Sequence, residues 1–393
     1  MKHVLVLNQF AVPRSQSGGT RHVDLFSRVD GWAPTLVAGH RNYGTQEAYV
    51  TEDHRFRLVR IPAYTSAGLV RVAGWALFAI QATWVGVRQR QLDAVYASTP
   101  HLLSPVAGWA VSRVRRVPLV VEVRDLWPES IVGADALRRD SGLHRVLVRL
   151  ERWIYQSADH IVAVTEGWES HFASLGVPAD KVTVISNGTD IDDFSVDDDR
   201  TTLREDFGFH RLTAVYAGTH GPSNALHLLL DAARENPDVD VVLVGSGSEK
   251  VGLQKKAESL PNVFFRDPVP KSELARLLVA ADVGVHCIEP LPVLKSGMSP
   301  NKLFDYMAAG LPTISNAGEG LRAVVSDGEA GHTGGPDDLG ENLQRVAAAS
   351  EERRRAWGRT GRSIVSERFS RDVAADRLGR ILDHVVTHIR RAP

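Results

Sequence analysis

Lys302 and Asp305 stand three residues apart in the segment Ser299-Pro300-Asn301-Lys302-Leu303-Phe304-Asp305-Tyr306-Met307-Ala308-Ala309-Gly310. Ser299 suits the N-cap of a helix and Pro300 its first helical position. The amides that follow have no partner within such a helix and are free to hold a phosphate. Lys302 on that turn adds a full positive charge, which suits a diphosphate. Asp305 lies one turn on and shares its face. A carboxylate there can accept both hydroxyls of a ribose. The same spacing also suits a plain ion pair on a capped helix, and spacing alone does not separate the two.

Other candidates sit where strands end. Gly18 and Gly19 follow the first strand pattern and open a helix whose N-terminus favours an anion. Gly218-Thr219-His220-Gly221 repeats the arrangement in the second half. His220 either donates to a phosphate or is an exposed loop residue. Arg124, Asp125 and Glu129 follow the run Pro118 to Val123, at a strand end where ligands are expected. Asp125 equally suits a plain pair with Arg124, and Glu129 a helix cap. His101, after the strand Asp93 to Ala97, suits either a helix cap or a binding pocket.

The elements that must position these residues are short β-branched runs alternating with helical patterns. Val4 to Leu7, Thr35 to Ala38, Asp93 to Ala97, Pro118 to Val123, His160 to Val164 and Val182 to Ile185 form one series. Leu212 to Ala217, Val239 to Val244, Val263 to Phe265, Val283 to His286 and Pro312 to Ile314 form a second. Such alternation predicts parallel sheets covered on both faces. The expected fold is α/β, with two doubly wound Rossmann-like domains and a cleft between them. Their bounds are 1–186 and 187–369, with a helix over 370–393 crossing back to the first domain. The acidic run Asp190 to Asp199 reads as a solvated connector.

Composition excludes several classes. A net charge of -1 argues against a nucleic-acid binder. Cys287 is the only cysteine, so no intrachain disulfide and no cysteine metal cluster can form. A lone cysteine, and an N-terminus without a signal-peptide pattern, lead to a cytoplasmic expectation. The stretch 69–87, LVRVAGWALFAIQATWVGV, is nearly long enough to span a membrane. Arg71, Gln81 and two glycines interrupt it, so it reads either as a buried or half-buried helix or as one resting on a membrane. Arg113, Arg115 and Arg116 add attraction to anionic lipid if they share that face.

SPNKLFDYMAAGLPTI resembles the donor-binding helix of the GT-B glycosyltransferases of family four, in the branch that includes bacterial polysaccharide and aminosugar transferases. Gly18-Gly19 with Arg21, Arg124-Asp125-Leu126-Trp127-Pro128-Glu129 and Asn187-Gly188-Thr189-Asp190 are similar to further motifs of that branch. The likeness runs through nearly the whole chain. It implies an acceptor-binding first domain, a nucleotide-sugar-binding second domain, and transfer with retained anomeric configuration and no metal or other cofactor. Asp305 then holds the ribose, and Lys302 with the helix opening holds the diphosphate. The donor site so implied comprises Gly18, Gly19, His220, Gly221, Lys295, Gly297, Met298, Ser299, Asn301, Lys302, Leu303 and Asp305. Arg21, His101, Asp125 and Trp127 are the acceptor candidates; Arg124 and Glu129 are the catalytic ones, with no dedicated base.

Three positions depart from the family pattern. The first glutamate of its E-x7-E motif falls on Gly297. The usual basic residues of the second phosphate loop fall near Thr219 and Ala225, and the usual histidine at the strand end is Arg124. UDP with an N-acetylhexosamine is the expected donor, by resemblance. The acceptor is a hydroxyl of a glycan, a lipid-linked sugar or a small molecule. A sugar-nucleotide 2-epimerase of the same architecture is the first rival. A non-catalytic sugar-nucleotide-binding subunit is the second, motivated by Gly297.

Overall fold

The computed structural model describes residues 1–16, 18–64, 68–99, 101–133, 137–325 and 328–389. Ser17, within the first glycine loop, and 390–393, within the expected last helix, lie outside them. The chain divides into two compact units, 1–186 with 371–393, and 187–370.

The first unit is built on a seven-stranded parallel sheet. Its strands are β1 (Lys2–Leu7), β2 (Trp32–Gly39), β3 (Phe56–Val59), β4 (Ala94–Ser98), β5 (Leu119–Val123), β6 (His160–Ala163) and β7 (Val182–Val184). They run in the order β3-β2-β1-β4-β5-β6-β7. β4 and β5 are buried along their whole length, which is why their sequences are continuously apolar apart from Glu122 and Ser98. The helices Leu69–Arg88, Leu103–Arg115 and Gly142–Ser157 lie outside this sheet. On the opposite face, Arg21–Phe26 and the long helix Arg371–Ile389 share one core with β1, β2 and β4.

The second unit carries six parallel strands: β8 (Thr213–Ala217), β9 (Asp240–Val244), β10 (Val263–Arg266), β11 (Val283–His286), β12 (Thr313–Ser315) and β13 (Gly331–Thr333). Their order is β10-β9-β8-β11-β12-β13. In each unit the chain order reverses beside the first strand, between β1 and β4 and between β8 and β11. The loops after these strands are where a doubly wound sheet opens to a ligand.

Three local expectations need correction. β3 and β13 were not anticipated. Both are edge strands too short to show a period, and β3 is flanked by arginines. The helix at the donor motif spans Asn301–Ala308, with Pro300 rather than Ser299 at its N-cap. The Ser299 hydroxyl instead accepts the Asn187 amide at 2.8 Å, and the Asn187 side chain donates to the Ser299 carbonyl at 2.6 Å. The acidic run is anchored, not merely solvated. Asp193 pairs with Lys271, Asp198 with Arg276, and Asp199 caps the helix Arg200–Phe207.

Candidate functional site

Lys302 lies on the first turn of Asn301–Ala308, whose other faces are locked into the core by Leu303, Phe304, Tyr306 and Met307. Its ammonium donates to the Tyr216 hydroxyl at 2.7 Å and to the Asn224 side chain at 3.0 Å. It also stands 4.2 Å from the centre of the Tyr216 ring. Burial in this setting pulls its pKa down to about 8. The glycine loop after β8 passes directly over it. A Cβ on Gly218 would lie 3.0 Å from the ammonium, and Gly218 adopts φ +153°, so only glycine leaves this approach open. The loop is fixed from behind: a Cβ on Gly245 would sit 1.9 Å from the Gly218 carbonyl oxygen. The structure therefore brings together a cation, a glycine loop and a helix N-terminus from distant parts of the sequence. That is the equipment of an anion site. Asp305, one turn along, is half-buried.

Several donor candidates take other places. Leu303 is wholly inside the core and its amide donates to the Pro300 carbonyl, so neither can meet a ligand. The Met298 side chain also belongs to that core. His220 is not an exposed loop residue: its ring is fully buried, 6.1 Å from the rings of Tyr216 and Phe265. Burial, aided by Lys250 and Lys302, lowers its pKa and keeps it neutral at pH 7. Its amide donates to Ser246 and its carbonyl accepts from Glu249, and both ring nitrogens are buried with no partner among the described residues. Lys295 is exposed, 3.5 Å from Glu319, on the rim of a cavity of about 310 Å³ that Glu289 and Arg322 also line. Gly297, at φ +124°, closes the short turn Pro292–Ser296 between that cavity and Ser299. Asn301 is exposed at the helix opening, and Gly221 is buried at the end of the β8 loop. Tyr216 and Asn224 escaped sequence reasoning. The first lies inside a run read as core strand, and the second in a turn with no motif.

In the first unit Gly18 adopts φ +131°, and Gly19 pairs with Ala11 just before the helix Arg21–Phe26. Arg21 is not presented to an acceptor. Its guanidinium donates to Glu122 and to the carbonyls of Ile185 and Ser186. Glu122 is fully buried and also accepts from Ser98 at 2.6 Å, with His22 at 2.7 Å. Burial opposes its charge, but the fields of His22, Arg21 and Arg124 with these hydrogen bonds outweigh that and hold its pKa well below the usual range. Burial lowers the pKa of His22, while Glu122 pulls it the other way. Arg124 is half-buried beside this network, and its amide donates to Thr99. Burial raises the pKa of Asp125. Glu129 is tied to Arg139 at 2.6 Å and so is held as an ion-pair partner.

His101 stacks on Trp75, with ring centres 5.2 Å apart, and Trp127 meets Trp75 edge-on at 5.3 Å. Burial pushes the His101 pKa down to about 3, so the ring is neutral. Its Nε2 bonds Gln9 at 3.0 Å. Gln9 Nε2 and Trp75 Nε1 are buried donors with no partner among the described residues. The half-buried Trp75 and Trp127 faces offer the aromatic platform on which a sugar ring can rest. Trp75 was missed because it lies in the apolar stretch read only as a helix.

Two doubly wound parallel sheets, each with loops at its switch point, define the GT-B class. The fold is shared with a HepE structure from Anabaena in complex with UDP, at TM-score 0.71 and 19% identity over 98% of this chain and all of that one. It is shared also with a sucrose-phosphate synthase from Thermosynechococcus elongatus, at TM-score 0.75 and 18% identity over 99% of this chain and all of that one. Residues 27–188 match the glycosyl transferase 4-like domain family, and residues 211–349 the glycosyl transferases group 1 family. A D-inositol 3-phosphate glycosyltransferase of Streptomyces scabiei is 29% identical over 76% of this chain and 66% of its own length. A probable glycosyltransferase WbjE of Pseudomonas aeruginosa is 24% identical over 79% of both. For TuaH of Bacillus subtilis, a putative teichuronic acid biosynthesis glycosyltransferase, identity is 25% over 54% of this chain and 52% of its own length. The chain thus spans between half and two thirds of several curated relatives it matches. It belongs to the family-four-like glycosyltransferases.

Proposed function

We propose that this protein transfers a sugar from a nucleoside diphosphate sugar to a hydroxyl of a glycan, a lipid-linked sugar or a small molecule. The observation that carries the reading is the buried Lys302 ammonium beneath the Gly218 loop. Cleavage of the donor leaves negative charge on the diphosphate. A preorganised cation and the amides of Asn301 and Lys302 at the helix opening stabilise that charge without reorganising. They supply the neutralisation that other transferases take from a bound metal, which supports metal-independent transfer. Asp305 holds the ribose. The acceptor hydroxyl enters on the face the leaving group departs from, so configuration is retained, and the leaving phosphate oxygen takes its proton. UDP with an N-acetylhexosamine is the donor we propose; the Anabaena neighbour, solved with UDP, fits that nucleotide. The first unit takes the acceptor, with Trp75 and Trp127 under its ring and Gln9 Nε2 as a donor to it. We place the protein in the cytoplasm, with 69–87 in contact with the inner face of the membrane.

The test is a thermal-shift panel of UDP, GDP, TDP and their sugars on the purified chain. A diphosphate should raise the melting temperature, and Lys302→Met should abolish the rise. If no diphosphate stabilises the wild-type chain, the donor site is wrongly assigned.

A further inference from the structure

The helix Leu69–Arg88 is long and apolar enough to cross a membrane, but it is wedged into the first unit. Gly74, Phe78, Ala82 and Gly86 form its buried face. A Cβ on Gly86 would lie 2.6 Å from the Leu5 side chain and 2.7 Å from Val111. The helix therefore stays against β1 and the helix Leu103–Arg115. The face turned outward is the unusual one. Leu69 is 88% exposed, Ile80 67% and Trp84 61%, where a surface helix normally carries charge.

The apolar surface continues onto the neighbours. The helix Leu103–Arg115 packs beside Leu69–Arg88 and exposes Val114. The helix Gly142–Ser157 packs on that one, with Trp153 meeting Trp109 at 4.8 Å, and exposes Leu143 and Val146. The charges on these three helices have one sign. Their sequences hold seven arginines and a single carboxylate, Glu151, which is buried and paired with His171 at 2.8 Å. Arg115 bridges the ends of the first two helices through the carbonyls of Val87 and Gln89. Arg88, Arg90, Arg113 and Arg116 are all exposed near the ends of these two helices, and Arg88 lies over the Trp84 ring at 4.2 Å. Exposed aliphatic and indole side chains rimmed by arginine, with no exposed acid on the three helices and Asp159 just beyond them near Arg113, match a bilayer whose headgroups are anionic.

We infer that this three-helix face docks the first unit on an anionic lipid surface, with Leu69, Ile80 and Trp84 entering the acyl boundary and these four arginines bound to headgroup phosphates. The inference extends the membrane contact proposed for 69–87 and is independent of the donor assignment. Co-sedimentation tests it, using the full-length protein with phosphatidylcholine vesicles alone or with about one third phosphatidylglycerol. Wild type should pellet with the anionic vesicles and bind the neutral ones at least about tenfold more weakly. R88Q/R90Q/R113Q/R116Q should lose the anionic preference, and I80N/W84A should lose pelleting. Every substituted side chain is exposed, so circular dichroism and the UDP-dependent thermal shift should stay as in wild type. Equal binding to both vesicle types overturns the inference, as does wild type left in the supernatant. So does a concentration-dependent dimer, seen by gel filtration, that W84A abolishes, because the face then serves a second copy of the chain. A lost UDP shift with intact vesicle binding would instead count against the donor site alone.

Discussion

Lys302 is where a single proton connects stability to binding. Its folded pKa of about 8 lies below the ordinary lysine value because burial disfavours the charged form. Between those two values the unfolded chain holds the extra proton, so this residue's contribution to stability rises with pH across that window. Donor affinity should move the other way. A diphosphate needs the ammonium, so the dissociation constant for UDP should be flat from pH 7 to 8. Above that it should rise by roughly tenfold per pH unit until the pKa of the complex is reached. Calorimetric titration at pH 7, 8 and 9 measures it. A constant that does not change across that range removes Lys302 from the diphosphate site. Lys302→Met should bind at least about tenfold more weakly at pH 7, the cost of one charge-assisted hydrogen bond, and should lose the pH dependence. Glu122 gives the opposite case of a buried charge. Its depressed pKa contributes stability that is complete above the usual carboxylate range and is lost as pH falls through the folded value. Glu122→Gln should cost about 3 kcal/mol by leaving Arg21 and Arg124 without their counter-charge. Denaturant unfolding at pH 7 reads this directly, and an unchanged midpoint would show the network to be dispensable.

At the scale of elements, the loops after β8 and β9 act as one device. The Gly218 loop stays over Lys302 only because Gly245 lets its carbonyl approach. Gly245 also holds φ +146°, so Gly245→Ala incurs both a collision and backbone strain. We expect it to lose at least about 2 kcal/mol of stability and to weaken UDP binding, as followed by thermal melting with and without nucleotide. A variant that melts and binds as wild type would mean that the loop can shift freely. These loops also show what was legible beforehand. Every strand that lies inside a sheet was readable, because burial on both faces favours apolar runs such as Val241 to Val244. The helix that carries Lys302 and Asp305 was readable from the segment Pro300 to Gly310. The partners of Lys302 were not. Tyr216 is spelled like any core residue, and only the pairing of β8 with β11 brings it near Asn301–Ala308. Glu122 stayed hidden for a similar reason. One carboxylate in VVEVR looks like an exception to a strand, and its function as a hub appears only when Arg21 and His22 on one helix and Ser98 on β4 arrive from two other segments.

On the scale of the whole molecule, the chain begins and ends in the same unit. Arg371–Ile389 buries Leu378, Ile381, Leu382, Val385 and Val386 against the sheet of the first unit. At about 1.5–3 kcal/mol for each fully buried aliphatic side chain, that contact is on the order of 10 kcal/mol. This is comparable with the whole net stability of a domain. Polar links fix its register: Asp383 accepts from Lys2 at 2.7 Å and from the Trp32 indole at 3.0 Å, and Arg371 pairs with Asp24. Ending the chain at residue 370 should therefore unfold the first unit while leaving the elements around Lys302 complete. Calorimetry on the shortened chain should show a single transition that UDP still raises, and the full-length protein should show the additional unfolding of the first unit. If the shortened chain kept both, the last helix would be ornamental to the first core. If it kept neither, the two units would depend on each other for folding, and the donor half could not be studied by itself.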